Sequence, residues 1–71
     1  MYSYTIKNNN TLAIRNAKNG QLVRTVTVDG NIAGSPMVNG DIGTVNVRKG
    51  NTNKVYVTNL NNGSVKKIFN V

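Results

Sequence analysis

The chain has 71 residues and carries 9 Lys and Arg against 2 acids, with no His, for a formal net charge of +7. There is no Cys and no Trp, while Asn occurs 14 times, Val 10, Thr 7 and Gly 7. This composition excludes a disulfide scaffold, a thiolate or imidazole metal site and the usual proton shuttle, so no catalytic residue and no cofactor is expected and an enzyme is the least expected class.

The local pattern is β throughout. Tyr4-Thr5-Ile6-Lys7 reads as a strand and Asn8-Asn9-Asn10 as a turn. Thr11 to Arg15 is the second strand, with Leu12 and Ile14 on one face and Ala13 and Arg15 on the other. Asn16-Ala17-Lys18-Asn19-Gly20 holds a tight turn, because Asn-Gly supplies positive φ cheaply. Gln21 to Val28 is a Val- and Thr-rich strand, closed by Asp29-Gly30.

Ala33-Gly34-Ser35-Pro36 does not suit a regular central strand, since Pro lacks the N–H. Met37-Val38 is expected to be a short strand before the Asn39-Gly40-Asp41 turn. Thr44 to Arg48 alternates, with Val45 and Val47 on one face. A turn at Lys49–Asn53 leads to the strand Lys54–Thr58, where Val55 and Val57 face together. Asn59–Gly63 turns again, and Ser64–Val71 is the last strand. Asn and Gly recur too often for a stable helix. Apolar runs reach only three residues, far short of a membrane span or a signal-peptide core, so neither is expected.

An internal repeat underlies this order. Asn10–Val28 lies on Asn53–Val71 without a gap at an offset of 43 residues. Asn10, Asn16, Asn19, Gly20 and Val28 meet Asn53, Asn59, Asn62, Gly63 and Val71. Leu12, Ile14, Leu22, Arg24 and Val26 meet Val55, Val57, Val65, Lys67 and Phe69. The preceding strand joins at an offset of 41, pairing Tyr4 with Val45, Ile6 with Val47 and Lys7 with Arg48. The expected division is residues 1–32, with three strands, and 33–71, with four, within one structural domain.

Each copy is strand, turn, strand, Asn-rich turn ending in Gly, strand; Gly34-Ser35-Pro36-Met37-Val38-Asn39-Gly40-Asp41 adds a short strand ahead of the second. With the stretch VYVTNLNNGSVKKIFNV this pattern resembles blades of the quinoprotein-like (PQQ-repeat) and WD40-like β-propellers. The Trp common in those repeats is replaced by Phe69 or Val26, and the cation-ligand residues of the quinoprotein enzymes have no counterpart. Their cofactor therefore does not carry over. The resemblance implies an all-β chain of two antiparallel blades, about seven strands in all.

A chain of this size buries only about 60% of its unfolded surface and has no disulfide or metal staple, so a partner subunit is expected. Two blades alone would leave two outer apolar faces wet, and closing a ring with sister chains covers them. Three chains, or four, complete such a propeller. Composition and repeat style further resemble small accessory proteins of marine T4-like tailed phages. That resemblance implies a virion role in capsid decoration, fibre or tail adaptor, with contacts to other virion proteins, and the host cytoplasm during assembly. The alternative is a basic module for nucleic acid or glycan. Its candidate partner or polyanion residues are Arg15, Arg24, Arg48, Lys66, Lys67 and Tyr56.

Overall fold

Hairpin follows hairpin along the whole chain. The computed structural model describes residues 1–71. Its strands are β1 (Tyr2–Asn8), β2 (Thr11–Asn16), β3 (Leu22–Thr27), β4 (Asn31–Asn39), β5 (Ile42–Lys49), β6 (Thr52–Asn59) and β7 (Ser64–Asn70). They form two antiparallel sheets, β1-β2-β3 and β4-β5-β6-β7, so the all-β architecture with three and four strands is as the sequence indicates. The short link Val28–Gly30 passes the chain from one sheet to the other.

The interior lies between the sheets. Tyr4, Leu12, Ile14 and Val26 come from the first, Val45, Val47 and Tyr56 from the second, Val28 from the link and Leu60 from the β6–β7 turn. Tyr2 and Ile32 pack at its margin. Leu12, Ile14, Leu60 and Thr58 are fully buried. The one buried polar side chain of the core, Thr58, shares a hydrogen bond with the Tyr4 hydroxyl at 3.4 Å, and no buried side-chain N or O lacks a partner.

The two β-hairpins β2–β3 and β6–β7 are built alike at the offset of 43. The Gly20 N–H donates to the Asn16 carbonyl and the Gly63 N–H to the Asn59 carbonyl, each at 2.7 Å. Asn16 and Asn59 Oδ1 accept from the backbone two residues on, at Lys18 and Asn61, and Asn19 and Asn62 do the same for Gln21 and Ser64, all at 2.9 Å. These are Asx turns. Gly20 and Gly63 take φ of 74° and 75°, the left-handed region that glycine enters without strain. The Val28 and Val71 N–H groups donate to the Asn10 and Asn53 carbonyls at 2.9 Å. A register shift falls between Ile14 and Arg15 in one copy and between Val57 and Thr58 in the other.

The preceding strand breaks this equivalence. In the first sheet Ile6 pairs with Leu12 and Asn8 with Thr11, so Lys7 is an extra residue in the ladder. That bulge puts Tyr4 and Ile6 on the face of Leu12 and Ile14. In the second sheet the loop is Gly50-Asn51, Lys49 pairs with Thr52, and the ladder runs on without a shift. Val45 therefore meets Tyr56, while Val55 meets Asn46 and Val57 meets Thr44. A one-residue difference in register turns a strand over. Val45 and Val47 face inward like Tyr4 and Ile6, but Val55 and Val57 do not follow Leu12 and Ile14. Strand β6 buries Tyr56 and Thr58 instead.

Strand β4 is longer than the expected Met37-Val38. Its pairing jumps from Ala33–Asn46 to Met37–Thr44, so Gly34-Ser35-Pro36 bulges out and regular pairing resumes on either side. Pro36 is accommodated because β4 is an edge strand. Gly43, on β5, is buried for a steric reason: a Cβ there would lie 2.6 Å from the Tyr4 ring and 2.9 Å from the Leu60 side chain.

Candidate interaction surface

Alternation along β5, β6 and β7 gives the second sheet an outer face as apolar as it is polar. Val55 stands between Asn46 and Phe69, and Val57 between Thr44 and Lys67. Met37 pairs with Thr44 at the β4 edge. Met37 is 71% exposed and Phe69 50%, while Val55, Val57 and Ile42 are half-buried. Lys67 Nζ lies 5.9 Å from the Phe69 ring centroid, within cation–π reach. At the β4–β5 end, Met37, Val38, Asn39, Ile42 and Thr44 line a shallow groove of about 400 Å³.

The first sheet presents the opposite chemistry. Its outer face pairs Ser3 with Arg15 and sets Ala13 between Thr5 and Thr25. This outer face is the more polar of the two, although Leu22, opposite Arg15, is 46% exposed. The Lys7 bulge sets Tyr4 and Ile6 of β1 on the same inner side as Leu12 and Ile14 of β2.

The candidate partner residues are spread over the molecule. Arg15 is on the outer face of the first sheet, its Nη1 donating to the Gly20 carbonyl at 3.1 Å. Arg24 Nη1 donates to the Asn62 carbonyl at 2.7 Å and its stem packs on Gly63, so this cation ties the two repeated hairpins together. Arg48 Nε donates to the Gly50 carbonyl at 3.4 Å. Arg48 and Lys67 share the outer face of the second sheet, and Lys66 sits at the β7 register shift. Tyr56 is a core residue, 5% exposed, whose hydroxyl accepts from the Asp29 N–H at 3.3 Å. Its ring does not reach the surface to stack on a ligand.

The other tyrosines are also engaged. Tyr2 donates to Asn61 Oδ1 at 2.9 Å. Burial pushes the Tyr4 hydroxyl above its ordinary range, and the Thr58 hydrogen bond pulls it back in part. The two acids stand at opposite ends of β4, Asp29 before it and Asp41 after it. Lys49 Nζ donates to Asp29 Oδ2 at 2.7 Å, and this hydrogen bond and charge lower the Asp29 pKa and raise that of Lys49. No three His, Cys, Asp or Glu side chains converge on a point, and no helix is long and apolar enough to cross a membrane.

The sequence left Ile42 and Phe69 unmarked as a surface feature. The signal was the Gly50-Asn51 pair: a two-residue hairpin loop there opposes Val45 to Tyr56 and so sends Val55 and Val57 outward. No family model matches this sequence, and no curated protein and no solved structure matches it either.

Proposed function

We propose that the chain is a non-enzymatic structural module that works as an oligomer, joined through the outer face of its second sheet. The observation that carries the reading is the row of Met37, Val55, Val57 and Phe69 on a face that no other part of the chain covers. Fully covering a large apolar side chain contributes about 1.5–3 kcal/mol. Four partly exposed ones therefore supply a term comparable with the roughly 4 kcal/mol or more that association costs.

In the arrangement that follows from the blade resemblance, this face lies on the outer face of a sister's first sheet. There Thr5, Ala13 and Thr25 present small side chains. Repeating that head-to-tail contact closes a ring of three chains, or four. The resemblance to phage accessory proteins makes a virion surface the setting of this ring, as decoration, fibre or adaptor.

Light scattering tests the assembly. The expected mass is three or four times the 7.7 kDa of one chain, and the double variant Val57→Thr, Phe69→Ser should fall to one chain while keeping its β-type circular dichroism. A single-chain mass for the wild type at every concentration would end this reading. A mass of two chains would replace the ring by a face-to-face pair.

A further inference from the structure

Three chain connections meet at one end of the molecule. The Asn9 carbonyl accepts from the Ile32 N–H at 2.7 Å, linking the β1–β2 turn to the start of β4. Lys49 reaches Asp29 from the β5–β6 turn. Lys7 precedes the first of these connections, Arg48 and Lys49 enter the last, and Lys54 leaves it. Asp29 is the one acidic side chain here and is already held by Lys49 at 2.7 Å. Its charge offsets one of four.

We propose that this end docks on double-stranded nucleic acid, holding the phosphate backbone without reading base sequence. Duplex DNA carries one negative charge per roughly 1.7 Å of axis, dense enough to meet cations distributed over several turns. The rest of the surface adds to the attraction, since Lys49–Asp29 is the molecule's single ion pair and Asp41 its only other acid. Base reading has no instrument at this end. Arg48 is turned to its own loop carbonyl and Tyr56 is buried beneath, so neither a bidentate fork nor a stacking platform is offered. All four cations belong to one chain, and of them only Arg48 lies on the outer face of the second sheet.

Fluorescence anisotropy with two DNA duplexes of unrelated sequence tests this. With about three phosphates neutralised per chain, log affinity should fall against log salt with a slope near −2.7, a loss of roughly 40-fold between 50 and 200 mM salt. Both duplexes should bind alike. The double variant Lys7→Gln, Lys54→Gln should flatten the slope by about 1.8, while Lys18→Gln, on the β2–β3 turn at the other end, should leave it unchanged. No binding at 50 mM salt would overturn the proposal. So would polyglutamate binding in preference to the duplex, which would indicate an acidic protein partner, or an equal loss in Lys18→Gln. Light scattering on the same variants keeps the assembly reading separate, since none of them touches the outer apolar face.

Discussion

The two sheets share a hairpin design and use it differently. The first keeps its large buried side chains, Tyr4, Leu12, Ile14 and Val26, on one side. The second divides them, with Val45, Val47 and Tyr56 inside and Val55, Val57 and Phe69 outside. The β2–β3 and β6–β7 hairpins align with each other at the offset of 43 and share their turn geometry. What separates them is the extra residue at Lys7 in one ladder and its absence in the other. Local likeness sets the turns, and register decides what a strand offers to its surroundings.

Paired substitutions break the comparison most directly. Ile14→Ala removes a fully buried side chain and should cost about 2–5 kcal/mol in denaturant unfolding. Its repeat counterpart Val57→Ala should cost far less in chain stability and act instead on the assembled mass. Equal destabilisation by both would mean that Val57 is interior.

The next effect concerns where the sheets touch. Gly43→Val drives a side chain into the Tyr4 ring and Leu60, an overpacking that should cost about 1–3 kcal/mol. Tyr4→Phe should cost about 1 kcal/mol, because it leaves the buried Thr58 hydroxyl without its partner.

Tyr4 also sets an alkaline limit. Its folded pKa is raised above the ordinary 10.0, chiefly by burial. Its contribution is therefore fully present below pH 10 and lost as pH rises through the folded value. Wild-type stability should decline above pH 10 more steeply than that of Tyr4→Phe, as followed by urea midpoints across pH. The smallest effects lie in the repeated turns. Asn16→Ala and Asn59→Ala each lose one side-chain-to-backbone bond and should cost about 0.5–1.5 kcal/mol apiece. A large disparity between them would contradict the equivalence of the hairpins.

Much of the strand order was legible because Asn-x-x-Asn-Gly punctuates it. Those residues act locally, through Asx turns and a positive-φ glycine, so their meaning does not depend on the rest of the fold. The inward positions of β1, β2 and β5 were legible from alternation. The outward turn of Val55 and Val57 is set by the two-residue Gly50-Asn51 loop, a signal masked by aligning these residues with the inward Leu12 and Ile14. Leu60 was hidden for another reason: it lies in an Asn-rich turn and reads as loop, yet it is fully buried and its N–H donates to the Asp41 carbonyl at 2.8 Å. The cations were visible as charge, but only the fold separates Arg24, which clamps the two hairpins, from Lys7 and Lys54.

The swelling at Gly34-Ser35-Pro36 has a consequence for safety in solution. A chain with a greasy exterior and long flat margins is a template for amyloid-like growth. Here one margin of the second sheet is distorted by the proline and its two neighbours, and the opposite one carries Lys66 and Lys67. Both borders of this sheet thus carry features that disfavour the pairing of like strands edge to edge.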